Sequence, residues 1–300
     1  MLKKLAKFYE TQYKLLLLIP LILLIAALAQ IGIQWHQTGD FLHKGVSLSG
    51  GVTVTIPAEA EINIHSLEEF LFGIYPTKEI AVRELRTTGG SQSGVIIDAA
   101  LNEEEINGFL EAIAQQTGLD EDNFSVEFFG PSLGDSFFRQ TLVALIIAFI
   151  FMGCVVFLYF RTLVPSFGVM LAAFSDIFIT LAIINIMGVR LSTAGIAAFL
   201  MLIGYSVDTD ILLTTKVIKR KEEGTLNQRI YDSIKTGGLM TLTALAAVIT
   251  TLIFTNSAVL TQIMLILFVG LCVDLISTWI QNVGLLRWYM ISEERKAKRD

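Results

Sequence analysis

Six stretches of the chain stay apolar long enough to cross hydrocarbon, which takes about 20 residues of helix at roughly 1.5 Å each. They are residues 15–33, 141–160, 163–187, 191–215, 237–254 and 259–286. Between the first and second, residues 35–139 are too polar to span, and their periodicity changes. Residues 46–56 alternate and are β-branched, which predicts a strand; residues 64–75 have helical apolar spacing. Residues 79–87 and 95–99 read as strands around a Gly-Gly-Ser turn. Residues 101–118 predict a helix with Asn102 as its cap and Glu103, Glu104 and Glu105 in its first turn, and residues 124–129 close with a strand. The order β-α-β-β-α-β is that of a ferredoxin-like sandwich. The fold class is therefore read as a membrane protein: an all-α bundle of six transmembrane helices with an α+β ferredoxin-like external domain between the first and second. The domains are drawn at 1–34 (amino terminus and first helix), 35–139 (external domain), 140–290 (five remaining helices) and 291–300 (basic tail).

Composition agrees with an integral membrane protein: 53% of the 300 residues are hydrophobic, 17% are charged and the mean hydropathy is +0.64. Cys154 and Cys272 each lie inside an apolar run, form no metal-binding spacing, and read as small packing residues. His36, His43 and His65 lie outside the apolar runs without an HExxH or HxxxH pattern, so no metal is expected. There is no GxxxxGK[ST] sequence to bind a nucleotide's phosphates, and no cofactor is expected.

Charge orients the chain. Lys3, Lys4, Lys7 and Lys14 precede the first span. Lys216, Lys219, Arg220, Lys221, Arg229 and Lys235 lie between the fourth and fifth, and Arg295, Lys296, Lys298 and Arg299 lie in the tail. Basic loops stay cytoplasmic, so both termini are expected there, in a multi-pass protein of the cell membrane with residues 35–139 outside. A second reading of the amino terminus is a signal peptide ending in Ala27-Leu28-Ala29, although the apolar run continues through Ile31 and Ile33. From Asp40 to Asp135 there are seventeen acidic residues against Lys44, Lys78, Arg83 and Arg86. That sign excludes nucleic acid as a partner of the external domain.

The candidate chemistry lies in four aspartates inside predicted spans: Asp176 in the third, Asp208 and Asp210 in the fourth, and Asp274 in the sixth. A carboxylate at a helix centre costs roughly 2.5–3.5 kcal/mol on insertion scales. No Lys or Arg stands at matching depth. Residues two apart on a helix point about 200° from one another, so Asp208 and Asp210 cannot face the same neighbour. Gly204 and Asp208 share one face; Ser206, Asp210 and Thr214 share the other. One carboxylate is expected to look into the chain's own bundle and the other toward a partner or a wet groove. Gly204, Ser206 and Thr214 are expected to pack near the site. The plainer reading is that the aspartates are protonated packing groups bonded to nearby Ser and Thr.

Several motifs fall in the order found in a known family. They are GVSLSGG (45–51), GPSLGDSFF (130–138), FSDIFIT (174–180), IGYSVDTDILLTTKVIKR (203–220) and a threonine-rich fifth span after DSIKTGG (232–238). With these the chain resembles the SecF side of the SecD/SecF family, of the resistance-nodulation-division superfamily, and archaeal members most closely. The resemblance implies an accessory subunit of the Sec translocon channel that uses the proton-motive force to help move exported polypeptide. SecD would be its partner, alongside the membrane lipid. Bacterial relatives place an aspartate where this chain has Thr209, whereas Asp208 matches the aspartate of the SecD motif AVDAN. Asp208 is therefore the first candidate for proton coupling, Asp210 the second and Asp176 the third, while Asp274 has no motif behind it. A half-transporter for lipids or small amphiphiles shares the same physics. An intramembrane aspartyl protease would need paired carboxylates, but no GxGD sequence is present. No covalent chemistry is expected.

Overall fold

The structure, a computed structural model, describes residues 9–57, 62–78, 80–86, 91–255 and 257–297. Lys3, Lys4, Lys7, Glu79, the glycines of the Gly-Gly-Ser turn, Lys298 and Arg299 lie outside the described residues. The spans are α1 (Leu18–Thr38), α4 (Pro131–Phe160), α5 (Leu163–Ile186), α6 (Thr193–Ile218) and α7 (Leu226–Phe254), and a sixth helix. The sixth runs as α8 (Ala258–Ile276), a π-helical turn (Ser277–Asn282) and α9 (Val283–Ala297). By length and composition, six helices among the described residues can cross a membrane. α5 and α6 form the centre of the bundle. Fifteen residues of α5 are buried, whereas α1, α4 and α7 turn broad apolar faces outward, with Ile22, Ile25, Ile150, Phe151 and Leu242 all exposed.

The external domain is built from β1 (Gly51–Pro57), α2 (Ile64–Ile74), β2 (Ile80–Arg86), β3 (Gln92–Ala99), α3 (Ile106–Thr117) and β4 (Ser125–Phe129). Its strands pair in the order β2-β3-β1-β4, antiparallel throughout, which is the ferredoxin-like arrangement. Alternation assigns the faces. Val52, Val54, Ile56, Val95, Ile97 and Ala99 point to the helices and form one core with Leu67, Leu71, Phe109 and Ile113. Thr53, Thr55, Ile96 and Asp98 take the opposite face, where Thr53 Oγ1 donates to Asp98 Oδ1 at 2.8 Å and Arg83 pairs with the other carboxylate oxygen. This face overlies the rim of the bundle across a cavity of about 130 Å³ bounded on the far side by Arg190, Ser192 and Gln262.

Four expectations change. Val46–Ser49 is a helical turn rather than strand, because its apolar residues pack toward α4 and not into the sheet; Leu48 is fully buried, and a side chain at Gly134 would come within 2.7 Å of the Gly50 nitrogen. The strand starts only after Gly50 and Gly51, which hold φ of 85° and 129°. In the helix expected at 101–118, Glu103–Glu105 is a 3₁₀ turn closed by an Asn102/Glu105 capping box, and α3 follows. The boundary drawn at 139/140 falls inside α4, which begins directly after β4 and runs unbroken to Phe160. Cys154 and Cys272 are free thiols exposed on the outside of the spans, not packed inside.

The chain between α1 and β1 is stitched to the α5–α6 turn. Gly45 N donates to Leu191 O and Leu191 N to His43 O, each at 2.7 Å; Asn185 Nδ2 reaches Phe41 O at 3.0 Å and Thr193 N reaches Ser47 Oγ at 3.2 Å. The external domain is thereby fixed to the two central helices.

Gly51 tests the neck. A methyl group there would lie 2.4 Å from the Ala99 carbonyl oxygen at a φ disfavoured for L-residues. Gly51→Ala is expected to destabilise the external domain by about 1–3 kcal/mol. Limited proteolysis of the purified protein should then cut residues 35–139 first, leaving the bundle intact.

Candidate functional site

At the middle of α5, Asp176 is 1% exposed. Its carboxylate accepts hydrogen bonds from Ser206 of α6 and Ser277 of the π turn. Thr278 Oγ1 donates to Asp274 Oδ1 at 2.9 Å, and Asn282 Nδ2 donates to Asp210 Oδ1 at 2.8 Å. Beside them Ser175 and Gln281 bond at 3.1 Å. Asp210 and Asp274 are fully buried, and each leaves its Oδ2 without a partner. Three carboxylates thus meet where α5, α6 and the sixth helix converge. No Lys or Arg among the described residues forms an ion pair with them.

Small residues make the convergence possible. A side chain at Gly237 would lie 2.7 Å from the Trp279 ring, at Gly270 2.5 Å from Leu202, and at Gly168 3.0 Å from Asn282 Oδ1. The π turn accommodates one residue more than an α-turn, a device found mostly at functional positions. From Asp274, the positions i+3, i+4, i+7 and i+8 are Ser277, Thr278, Gln281 and Asn282, one polar stripe along an apolar helix. Reading the aspartates alone misses these four donors, although the stripe is visible in the sequence. Arg287 is also missed, and Arg229, counted among the basic residues between the fourth and fifth spans, is buried instead; both lie at the end of the bundle remote from the external domain. Arg229 bonds the Val217 carbonyl, and Arg287 donates to Asn227 Oδ1 at 2.7 Å while lying over the Tyr9 ring at 5.3 Å. Tyr9 in turn donates to the Trp279 carbonyl, and burial pushes its phenol above the ordinary value.

The candidate residues separate. Asp210 and Ser206 turn inward, with Thr214 one turn on, whereas Asp208 is exposed on the opposite face of α6. Asp208 borders a cavity of about 420 Å³ between α6 and α7, lined also by Tyr205, Thr209, Met240, Thr243 and Leu271. The hydroxyls of Thr209 and Thr243 donate to backbone carbonyls of their own helices, at Tyr205 and Met240. They present acceptor oxygen to the cavity next to the carboxylate. Gly204 does not pack near the site within this chain: it is exposed, and a side chain there would meet nothing within 4 Å. Its lack of a side chain leaves the surface beside Asp208 flat. Asp274, which no motif marks, stands with Asp176 and Asp210 in the buried cluster.

Chemically, the cluster offers acceptors in excess of donors in a medium of low dielectric. Removing a charged carboxylate from water costs several kcal/mol, and no ion pair among the described residues offsets it here. A proton taken up by the cluster cancels that charge. At 0 or 1% exposure the three groups offer a peptide bond no access.

Comparison with known proteins gives concordant findings. The family described as protein export membrane protein SecD/SecF, C-terminal, matches residues 109–292. The chain is 38% identical over 296 residues to the protein-export membrane protein SecF of Pyrococcus furiosus, covering 98% of this chain and 97% of the relative. It is 35% identical over 294 residues to that of Methanocaldococcus jannaschii, covering 95% and 98%. Among solved structures it is similar to SecDF, a translocon-associated membrane protein from Thermus thermophilus, with a TM-score of 0.74 at 19% identity. That match covers 92% of this chain and 38% of that one, so the likeness is one of fold and concerns a part of a longer chain. SecDF in a super-membrane-facing form matches with a TM-score of 0.60 at 20% identity, over 94% of this chain and 39% of that one.

Ser206 and Ser277 supply the hydrogen bonds of Asp176. Replacing either with Ala is expected to lower the stability of the purified protein by about 1–3 kcal/mol. The double variant should fall short of the sum, because both act on one carboxylate. Thermal unfolding in detergent measures it, and strict additivity would mean that the two hydroxyls act independently.

Proposed function

The chain belongs to the SecD/SecF family of protein-export membrane proteins, and on that premise we propose that it is an accessory subunit of Sec translocation that acts with SecD to couple proton movement to export. The observation that carries this reading is the trio Asp176, Asp210 and Asp274, buried together with no ion pair to a cation among the described residues. When one of them binds a proton, a charge penalty disappears, and the packing preferred by the helices around it changes. No bond in the exported polypeptide is made or broken.

Asp208 supports the partner half of the proposal. A carboxylate exposed on the flank of a span cannot face lipid at low cost. Acceptor oxygens and one negative charge around a cavity of about 420 Å³ suit a neighbour that brings hydrogen-bond donors. We assign that face to SecD.

The orientation follows from the basic loops: both termini cytoplasmic and the external domain outside. With Cys154 and Cys272 replaced by Ala, an impermeant maleimide should label His65→Cys in intact cells and Lys221→Cys only after permeabilisation. The reverse pattern would invert the topology.

Coupling is tested with Asp208→Asn and Asp210→Asn in vesicles carrying the complete assembly. Asp210→Asn should abolish the dependence of export on the proton gradient. Asp208→Asn should weaken co-purification with SecD as well. Normal gradient dependence in both variants would sink the mechanism.

A further inference from the structure

Asn282 is the last residue of the π turn and is fully buried. Its amide nitrogen donates to Asp210 Oδ1 at 2.8 Å, while its own Oδ1 has no partner. Asp210 Oδ2 also has none. A primary amide is a donor at one end and an acceptor at the other, in nearly the same shape. An ionised carboxylate only accepts, so it takes the NH₂ end. A protonated one must also place an O–H, and the C=O end of the same amide accepts it after half a rotation.

We propose that Asn282 is the positioning residue that senses the proton on Asp210, its amide turning end for end as Asp210 changes from acceptor to donor. The inference rests on the reading that Asp210 exchanges a proton. Gly168 of α5 gives the amide its room. A methyl group at that position would stand 3.0 Å from Asn282 Oδ1, close enough to press on whichever end of the amide faces it. The position of Asn282 makes the rotation consequential. The same π turn holds Ser277 on Asp176 and Thr278 on Asp274, so a change at its end is felt by the other two carboxylates. The ionisable groups around the pair are Asp274 on the sixth helix and Asp176 on α5. Toward the end of the bundle remote from the external domain, Arg229 of α7 and Arg287 of the sixth helix are engaged by Val217 and Asn227, and Tyr9 by Trp279.

Two experiments test this on the assembled complex. In the first, the pH dependence of gradient-driven export is compared for the native chain and for Asn282→Leu, Asn282→Ser and Gly168→Ala. Leu has the amide's size without its polarity and should move the pH of half-maximal export by about one unit or more, a tenfold change in proton affinity. Ser, which can both donate and accept, should restore most of it. Gly168→Ala, which crowds the amide, should also shift the profile while leaving both polar residues in place. Unchanged profiles in Leu and Ala variants, alongside an inactive Asp210→Asn, overturn the role of Asn282 alone. An Asp210→Asn variant with normal coupling overturns the reading beneath it. The second experiment needs no change at residue 282. Infrared difference spectra between acid and neutral pH, with ¹³C-labelled asparagine, should show an amide C=O band titrating together with the carboxyl band that Asp210→Asn removes. A carboxyl band that titrates without any asparagine band overturns the proposal.

Discussion

Carboxylates in hydrocarbon repel water loss and one another. Two unit charges about 6 Å apart at an effective dielectric near 20 interact by about 3 kcal/mol, before any cost of desolvation. A bundle that gathers Asp176, Asp210 and Asp274 without a cation must surround them with donors, and the rest of its interior is arranged to do that. Ser206 comes from α6 and Ser277, Thr278 and Asn282 from the sixth helix. The glycines at 168, 237 and 270 let the helices approach closely enough for these short side chains to reach. Serine and threonine hydroxyls also rotate freely, so they serve a carboxylate in either state of protonation.

The same constraint divides the outside of the bundle. α1 and α4 present Leu21, Ile22, Ile25, Ile146, Ile150 and Phe151, faces that lipid can cover. The α6–α7 flank instead presents Asp208 and Thr243 among Tyr205, Met240 and Ala244. A charged group on the surface of one half of a membrane domain is explained once a second half lies against it. Sites of repeat-built transporters lie near midplane at such interfaces. Asp208 and Asp210, two residues apart, thereby stand in different surroundings: one exposed on the flank of α6, the other buried among the helices of this chain.

Much of this was legible in the sequence because the two periodicities are far apart. Twenty-residue apolar runs cannot be mistaken for the alternating strands of residues 51–57 and 92–99, and the βαββαβ order leaves few sheets to choose from. The divergence of Asp208 and Asp210 follows from helix geometry alone. What escaped did so for physical reasons. Val46–Ser49 alternates like a strand because two of its side chains pack against a span, and periodicity does not say what an apolar face packs on. Asp274 has no motif, since its hydrogen-bond donor Thr278 lies four residues along its own helix and the carboxylates it joins lie on two others. The π turn leaves no mark in composition, and Arg287 lies just past the apolar run that marked the expected end of the sixth span.

Coupling to the external domain depends on how that domain is held. α4 runs without a break from Pro131 to Phe160, about 45 Å at helical rise, and so carries one attachment from β4 down through the membrane. The other attachment is the pair of main-chain bonds between His43–Gly45 and Leu191, at the turn that joins α5 to α6. Asp176 lies on one of those helices and Asp210 on the other. The neck is close-packed at Gly45, where a side chain would press on the Leu191 carbonyl at 3.0 Å. Gly50 and Gly51, with φ of 85° and 129°, lead the neck into β1 under packing that is tighter still, since a side chain at Gly51 would lie 2.4 Å from the Ala99 carbonyl oxygen. The two attachments hold the sheet above the rim, over the polar cavity that separates Arg83 and Asp98 from Arg190 and Gln262.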